Sequence, residues 1–357
     1  MKKIGMIGNP AALSAGSKDN TGNIIHGHAA RYLFESAPSI KAFSTAENIE
    51  RVRSEFTHLG FVAATNLHVK NAPDYIQGQV GAADFVEKLD LPVCVFGFGC
   101  HAHLGDTIAA ANVDPRSVRL LRVLAERSKT VGVRGAFTAD LCAKYGVKNV
   151  TVVGCQSAYV AALRNTNCRA LNTKGERPVV SFSWGPDERR LLRLAMEAGA
   201  GVIGQGDSTE ELIAQGQIER DAFLAGDYRL LGCFEDAMKC GELSRSDYYD
   251  YIKGHFFKFY DVGRWCAHIT QSYDFCVGTR FHGNMAAFLA GVPSLWIEHD
   301  MRTRELCQHL GLPSINCAHL SEVRDLKQLT SECSYEAFWS RMPQLASEFL
   351  DYLILLC

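Results

Sequence analysis

Several features are missing from this sequence of 357 residues, and each absence excludes a class of protein. No apolar run approaches the roughly 18 residues that a membrane span requires. The run Ile4–Gly8 is too short for the apolar core of a signal peptide, and no small-residue cleavage site follows it. No block of like charge is present, and 37 basic and 39 acidic residues leave a formal charge of −2. The sequence therefore predicts a cytoplasmic protein that neither crosses a membrane nor binds nucleic acid in bulk.

Signatures of metal and nucleotide binding are missing too. None of the 13 cysteines forms a Cys-x-x-Cys pair, and no cysteine–histidine cluster has zinc spacing. The cysteines are scattered and several lie in apolar runs, which is typical of reduced structural thiols in a cytosolic protein. The loop after Gly8 contains glycines but matches neither GxGxxG nor a Walker loop. These patterns predict neither a metal nor a cofactor.

What the sequence does contain is a regular alternation of short apolar runs and helical patterns. In the first half the apolar runs are 3–8, 60–65, 93–99, 130–133 and 150–153, with helical patterns between them. A second series begins at Pro178 and ends with the run 293–298. Such alternation is typical of parallel βαβ units. We therefore predict an α/β fold of two Rossmann-like domains that face each other across a cleft.

The domain boundaries are expected where this alternation weakens. Residues 159–177 are rich in asparagine and other polar residues, which is typical of a linker. The last stretch has apolar residues at helical spacing and predicts an amphipathic helix. We predict an N-terminal domain over residues 1–172, a C-terminal domain over residues 173–333 and a C-terminal helix over residues 334–357.

Functional side chains are expected in the loops at the carboxyl ends of the strands, because ligands of open parallel sheets bind there. The strongest candidate is the loop after the predicted strand 273–277, which combines an arginine, a histidine and two glycines. Arg280 suits a bidentate contact with a carboxylate or phosphate, and His282 titrates near neutral pH. An isolated histidine is more often structural, but this combination, with glycines that permit close approach, favours a binding and proton-transfer site. The predicted contact residues around it are Gly278, Thr279, Gly283 and Asn284.

Two further strand ends carry charge. Arg134 follows the apolar run 130–133 and precedes a helix, which suits an oxyanion contact, although a buried structural ion pair would also place it there. The segment 298–305 is densely charged and is predicted to position phosphate or sugar hydroxyls. The first turn of a solvated helix is the alternative for that segment. Its predicted binding residues are Arg302, Arg304 and Glu305.

Three weaker strand-end loops complete the predicted site. The loop 8–23 allows close backbone approach to a ligand but also fits an ordinary surface loop. The strand end 96–103 has glycines and a His-x-His pair. These residues fit the wall of a ligand cleft, a metal site for which no third ligand stands nearby, or histidines that are packed or solvated. The turn 153–157 fits a helix cap, or a catalytic Cys155 without an identifiable base. The predicted binding residues in these loops are Asn20, Gly22, Asn23, Gly99, His101 and Ser157.

These motifs resemble those of the polysaccharide pyruvyl transferases. The pattern Tyr-Asp-Phe-Cys-Val-Gly-Thr-Arg-Phe-His-Gly-Asn at 273–284 looks like that family's C-terminal hallmark, and the segments 290–293 and 299–305 fit its continuation. The segment 131–138 is similar to the family's arginine-containing strand end. The segment 20–23 resembles its opening loop. The turn 154–157 resembles a Gly-Cys-Pro-Ser variant with Gln156 in place of proline.

The resemblance implies a fold similar to that of two-domain, GT-B-like glycosyltransferases, with the active site in the interdomain cleft. It implies transfer of a pyruvyl group from phosphoenolpyruvate to a free, lipid-linked or polymeric saccharide, with a ketal as product and no cofactor. By motif position Arg280, His282 and Arg134 take the donor-binding and proton-transfer roles, with the donor on the C-terminal side and the acceptor on the N-terminal side.

Two alternatives remain open at this point. The first is a nucleotide-sugar glycosyltransferase, because one fold supports many chemistries. The second is a non-catalytic sugar-binding protein, against which the Arg280-x-His282 pair argues mildly. A lipid-linked acceptor would bring the enzyme to a membrane surface without any membrane-spanning segment of its own.

Overall fold

A computed structural model describes residues 3–34, 37–42, 44–69, 76–164, 174–183, 188–206, 208–228, 230 and 233–356. The described chain forms two six-stranded parallel sheets, one from each half. Helices connect the strands, so the predicted α/β class is confirmed. No helix in the described part of the chain has both the length and the apolar character needed to cross a membrane.

The first sheet is formed by the first half of the chain. Its strands are β1 (Ile4–Gly8), β2 (His58–Val62), β3 (Thr65–His68), β4 (Val93–His101), β5 (Val131–Val133) and β6 (Val150–Val152). The helices are α1 (Asn23–Leu33), α2 (Ala46–Glu55), α3 (Ile76–Leu89), α4 (Pro115–Arg127), α5 (Ala136–Lys144) and α6 (Gln156–Arg164). The strand order is β1-β2-β4-β5-β6, with β3 paired to the end of β4. The strands therefore follow chain order, without the reversal that a doubly wound sheet would have.

The second sheet has the strand order β12-β11-β10-β7-β8-β9, which reverses between β7 and β10. Its strands are β7 (Pro178–Ser181), β8 (Gly201–Gly204), β9 (Phe256–Lys258), β10 (Phe275–Gly278), β11 (Ser294–Glu298) and β12 (Ser314–Asn316). In such a sheet the crevice for a ligand lies beyond the strands at the reversal. The loop that begins at Thr279 leaves β10 at this point.

Most helices of the second half lie between β8 and β9 or after β10. They are α7 (Glu188–Glu197), α8 (Ser208–Ala214), α9 (Arg220–Ala225), α10 (Cys233–Lys239), α11 (Arg245–His255), α12 (Val262–Ser272), α13 (Phe281–Leu289), α14 (Met301–Leu310) and α15 (Glu336–Leu356). Two short 3₁₀ helices, Cys317–Ser321 and Leu326–Glu332, precede α15. The described cysteines are free thiols and most are buried, as predicted from their scattered apolar positions.

The two halves share a continuous hydrophobic core. It includes residues of α1, α6 and β4 together with those of the second sheet, and α6 packs against α13. The final helix α15 returns to the first half, where Tyr352 donates to the Val95 carbonyl oxygen and Phe349 stacks on Tyr159 at 4.2 Å. This packing fixes the loops of one sheet relative to those of the other, which a site built from both halves requires.

The predicted linker 159–177 begins inside α6, because α6 continues to Arg164. Residues 165–173, which contain the predicted boundary after residue 172, lie outside the described residues. The domain limits therefore stay predictions. The predicted strand 60–65 covers the last three residues of β2 and only the first residue of β3, with residues 63 and 64 between the two strands.

Candidate active site

The carboxyl ends of both sheets border one cleft, which contains two adjoining cavities. The larger has a volume of about 920 Å³ and is lined mainly by loops of the first sheet. The smaller, of about 30 Å³, is lined by Arg134, Gln205, Phe281 and His282 in addition to the residues that it shares with the larger. The shared residues are Asn20, Asn23, Ala64, Thr65, Arg280 and Arg302. The smaller cavity thus brings three arginines and one histidine together from both halves.

The loop between β10 and α13 presents Arg280 and His282. Arg280 is the N-cap residue of α13, so it lies beside the N–H groups that a helix leaves unpaired at its start. Its Nε donates to the Phe182 carbonyl oxygen at 2.9 Å. Asn284 Nδ2 donates to the Gly278 carbonyl oxygen at 2.9 Å and to a carbonyl oxygen of β11 at the same distance. The loop is therefore anchored on both sides of the two functional side chains.

Gly278 and Gly283 allow the end of β7 to pack directly against this loop. A Cβ atom at Gly278 would lie 2.2 Å from the Ser181 carbonyl oxygen, and one at Gly283 would lie 2.1 Å from Ser181 Oγ. The Thr279 hydroxyl donates to the carboxylate of Glu188, and this bond also ties the loop to the start of α7. Both glycines therefore have a packing reason to be glycine, and their contact with a substrate stays a prediction.

Side chains of the first half pack around His282. The ring centroid of His26, on α1, lies 3.9 Å from that of His282. Cys155 Sγ lies 3.6 Å from His282 Nε2 and 3.9 Å from His26 Nδ1. The buried Arg134 donates to the Gly97 carbonyl oxygen at 2.8 Å and to His26 Nε2. Because a guanidinium has no acceptor, His26 Nε2 accepts this bond and the neutral ring carries its proton on Nδ1. The side-chain amide of Gln156 lies 3.1 Å from Nδ1, and this tautomer requires the amide to present its oxygen there.

Burial and positive charge keep both histidines neutral. Burial lowers the pKa of His282 well below its usual value, and Arg134, Arg302 and Arg280 lower it further. Burial likewise lowers the pKa of His26, and His282 and Arg134 add to the effect. Burial lowers the pKa of Arg134 only to about 10, so its guanidinium stays charged at neutral pH. The resting site therefore combines charged arginines with an unprotonated His282.

Arg302 is held in the site by Asp300 at the start of α14. The buried Asp300 accepts from the Thr303 N–H at 2.8 Å and lies 3.0 Å from Arg302 Nη2. Burial alone would raise the pKa of Asp300, but Arg302 and His299 outweigh it and hold that pKa below its usual value. Arg302 Nε is buried and has no hydrogen-bond partner among the described residues. Arg302 therefore retains a donor for an anion. The segment 298–305 is half-buried to buried, so it is not a fully solvated helix start.

Glu305 connects the two halves beside Arg134. Its Oε1 accepts from the Thr138 hydroxyl at 2.6 Å, and its Oε2 accepts from the Thr138 N–H at 2.9 Å. Gly135, the residue after Arg134, packs so closely that a Cβ there would lie 2.5 Å from Glu305 Cβ. Burial raises the pKa of Glu305 to about 7, although the two Thr138 bonds act in the opposite direction. Glu305 therefore positions the segment that carries Arg134, and it titrates near neutral pH.

We expect Glu305→Gln to remove a pH dependence of stability. The folded-state pKa of about 7 exceeds the reference value of 4.5, so the folded state binds this proton more tightly than the unfolded state. The free energy of unfolding should therefore fall as the pH rises through this interval, by up to about 3 kcal/mol. Glutamine can still accept from the Thr138 N–H and donate to the hydroxyl. Denaturant unfolding of both proteins across the interval tests this, and parallel pH profiles would contradict it.

The structure places the predicted site residues in two groups. Those that line one or both cavities are Asn20, Asn23, His101, Arg134, Arg280, His282 and Arg302. Those that line neither of the two cavities are Gly22, Gly99, Ser157, Gly278, Thr279, Gly283, Asn284, Arg304 and Glu305. For the second group, direct contact with a substrate stays a prediction.

Two residues of the second group have clear local partners. Ser157 lies inside α6, which begins one residue earlier, so it is not the N-cap of that helix. Its buried hydroxyl lies 2.8 Å from Cys155 Sγ. Arg304 pairs with Glu298 at 3.0 Å. Both therefore stabilise the elements that surround the cavities.

Reasoning from individual loops missed His26 and Gln205. His26 lies near the start of α1, at the same sheet edge as the strand-end loops, and that position was the available signal. Gln205 directly follows β8, and its Nε2 donates to Ser181 Oγ at 3.1 Å. Neither residue stands out in sequence, because a single polar residue beside an element is common.

One group in the described part of the chain has the composition of a metal site. The possible ligand atoms of His26, Cys155 and His282 all lie within 4.8 Å of one another. The His-x-His pair of β4 is arranged differently, since the ring centroids of His101 and His103 lie 6.0 Å apart. That pair is not part of any three-residue group of ligands among the described residues.

The chain is similar to several solved structures at low sequence identity. S. aureus MnaA, in a co-structure with UDP, is 13% identical with a TM-score of 0.43, and the match covers 99% of this chain and 98% of that one. A Methanocaldococcus jannaschii UDP-GlcNAc 2-epimerase in complex with UDP-GlcNAc and UDP is 9% identical with a TM-score of 0.41, covering 95% and 93%. The glycosyltransferase SnogD from Streptomyces nogalater is 11% identical with a TM-score of 0.36, covering 98% and 95%. These likenesses concern the fold alone.

A family comparison covers part of the site. No curated protein sequence matches the chain significantly. The family model described as polysaccharide pyruvyl transferase matches residues 70–301, which is more than half of the chain. The matched range contains Arg134, Arg280 and His282. The chain therefore belongs to the polysaccharide pyruvyl transferase family, a family of transferases.

Proposed function

We propose that this protein transfers a pyruvyl group from phosphoenolpyruvate to hydroxyl groups of a saccharide, forming a pyruvate ketal in the biosynthesis of an exopolysaccharide or cell-surface glycan. The observation that carries the proposal is the small cavity, in which Arg134, Arg280 and Arg302 surround a neutral His282. Membership of the family supports the same chemistry.

The arginines suit the donor. Phosphoenolpyruvate has a carboxylate and a phosphate, and guanidinium groups bind both through paired N–H donors. Arg302 has a buried Nε without a partner among the described residues. The N-terminus of α13 adds backbone N–H groups beside Arg280. The donor is therefore proposed to lie on the C-terminal side of the cleft, against the second sheet.

Apart from the charged Lys18, Asp19, Arg280 and Arg302, the larger cavity has a lining that suits an uncharged acceptor. Asn9, Asn66 and Gln79 contribute amide groups to its lining, and His68 and His101 contribute imidazoles. Burial lowers the pKa of His68 to about 4 and also lowers that of His101, so both are neutral at neutral pH. Neutral hydrogen-bonding groups match the hydroxyls of a sugar, whether the sugar is free, lipid-linked or part of a polymer.

The proposed reaction has three steps and uses no cofactor. Protonated His282 gives its proton to the methylene carbon of phosphoenolpyruvate, which leaves positive charge on the adjacent carbon. An acceptor hydroxyl then attacks this carbon and gives its proton back to His282. A second hydroxyl displaces phosphate, which takes the proton of that hydroxyl as it leaves, and the cyclic ketal closes. Arg134, Arg280 and Arg302 stabilise the anionic charge throughout, most effectively where water is excluded.

We expect the bound donor to raise the pKa of His282. The three arginines keep this pKa low in the resting site, and an anion between them offsets their charge. A histidine-resolved NMR titration with and without phosphoenolpyruvate measures the change. A His282 pKa that does not respond to bound donor would contradict the proposed proton transfer.

Phosphate release from phosphoenolpyruvate, with a pool of simple galactosides, glucosides and mannosides as acceptors, tests the function. Acceptor-dependent release supports the proposal and begins to identify the sugar. Thermal stabilisation by phosphoenolpyruvate is measured in parallel against a panel of nucleotide sugars, since a ligand of the folded state raises its stability. Stabilisation by a nucleotide sugar, with neither release nor stabilisation by phosphoenolpyruvate, would identify a glycosyltransferase instead.

A further inference from the structure

The thiol and imidazoles beside the small cavity have the chemistry of a metal site. We propose that His26, Cys155 and His282 bind a soft divalent cation such as Zn²⁺, and that an ion bound there inhibits the enzyme. In the described part of the chain, these three residues are the group whose possible ligand atoms lie close enough together to bind one ion. Binding follows from these contacts alone, whereas the inhibitory effect rests on the function proposed above.

The distances match a tetrahedral site. Zinc binds a thiolate sulfur at about 2.3 Å and an imidazole nitrogen at about 2.0–2.1 Å, so at a tetrahedral angle these atoms lie about 3.5 Å apart. Cys155 Sγ lies 3.6 Å from His282 Nε2 and 3.9 Å from His26 Nδ1. All three ligand atoms lie within 4.8 Å of one another, so side-chain movements would bring them around one ion.

The ligand types select the metal. One thiolate and two imidazoles favour zinc over magnesium or calcium, which prefer oxygen ligands. Burial lowers the pKa of His282, so this histidine offers a lone pair. Burial raises the pKa of the Cys155 thiol and so opposes the thiolate, and the ion must displace the thiol proton to solvent. Three protein ligands leave a fourth position for water.

Nearby positive charge limits the affinity. Arg134, Arg280 and Arg302 all face His282 and oppose a cation. Arg134 also donates to His26 Nε2, which places the ring proton on Nδ1, the atom that faces Cys155. The ion must displace this proton, or Arg134 must release Nε2 so that the proton moves there. Binding is therefore expected to be weaker than in a structural zinc site and to strengthen as the pH rises.

Occupation of the site would stop proton transfer. The ion takes the lone pair of His282 Nε2, which then neither accepts nor delivers a proton. The metal also pulls His26 from the contact that holds Arg134 in place. Inhibition is thus expected from the loss of the proton carrier and from displacement of an arginine.

Cobalt absorption tests the binding. Co²⁺ added to the full-length protein should give the visible bands of a tetrahedral ion and a thiolate charge-transfer band, and Zn²⁺ should displace both. Cys155→Ser should lose the charge-transfer band, whereas Cys240→Ser, which removes an exposed thiol, should keep it. X-ray absorption of the zinc-loaded wild type, with one sulfur and two imidazoles expected, tests the ligands without any variant. No tetrahedral spectrum, or one that persists unchanged in Cys155→Ser, would overturn the site.

Activity tests the inhibition separately. Zn²⁺ at ten times the dissociation constant obtained from the cobalt competition should reduce acceptor-dependent phosphate release about tenfold, since about one molecule in eleven stays unoccupied. EDTA should restore the rate. Tetrahedral binding with an unchanged rate would overturn the inhibitory role and leave the metal site. If the unliganded protein releases no phosphate with any acceptor, the proposed function fails, and the absorption data still decide the site.

Discussion

His282→Ala is expected to lower the turnover number by about 10²- to 10⁴-fold, the usual contribution of a positioned acid or base. His282 lines the small cavity among the three arginines, and it is proposed to carry the proton once the bound donor offsets the arginine charge that lowers its pKa. The arginines remain in the variant, so affinity for phosphoenolpyruvate should change much less than turnover. Steady-state kinetics of phosphate release, with kcat and KM measured separately, gives both numbers.

Two controls make this result specific. His319→Ala removes an exposed histidine that pairs with Glu322 on the surface, and it should leave the rate unchanged. Thermal unfolding of His282→Ala should resemble that of the wild type, because Asn284 and the β10 backbone anchor the loop independently of the imidazole. A folded His282→Ala protein with near-normal turnover would remove His282 from the mechanism.

The sequence predicted those parts of the fold whose signal is local. Apolar runs such as 93–99 and 293–298 contain strands because their side chains are buried on both faces of a parallel sheet. The strands β9 (Phe-Phe-Lys) and β12 (Ser-Ile-Asn) were missed because polar residues interrupt them, whereas the equally short β5 and β6 lie in valine-rich runs. Helix α2 was missed as well, because Ile49 and Val52 are its only buried residues.

The candidate site was predictable loop by loop, but the contacts between its loops were not. Arg134, Arg280 and Arg302 each follow a strand, and that position predicted a role for each. Their convergence on one cavity depends on how α1 and α6 pack against α13, which is tertiary information. The same holds for His26, whose contacts with Arg134 and His282 join residues far apart in sequence. The position of the site also depends on strand order. The order of the second sheet changes direction between β7 and β10, and the loop that contains Arg280 begins at the end of β10.

Arg280→Lys is expected to lower kcat/KM for phosphoenolpyruvate by about 10²- to 10³-fold, although the positive charge is kept. Arg280 donates from Nε to the Phe182 carbonyl oxygen, and this bond orients the planar guanidinium toward both cavities. Lysine has neither the fork of paired donors nor an Nε at that position, so it cannot keep this orientation while binding a carboxylate or phosphate bidentately. The expected loss is comparable to that of removing one preorganised donor from an oxyanion site.

The comparison of three variants separates charge from geometry. Arg280→Ala removes both and should lose at least as much activity as Arg280→Lys. Arg220→Lys alters an exposed arginine that pairs with Asp250 on the surface, so its kcat/KM should equal that of the wild type. If Arg280→Lys kept wild-type kcat/KM while Arg280→Ala did not, charge alone would account for the role of Arg280. A loss in Arg280→Lys close to that in Arg280→Ala would instead establish that the fixed, forked geometry binds the donor.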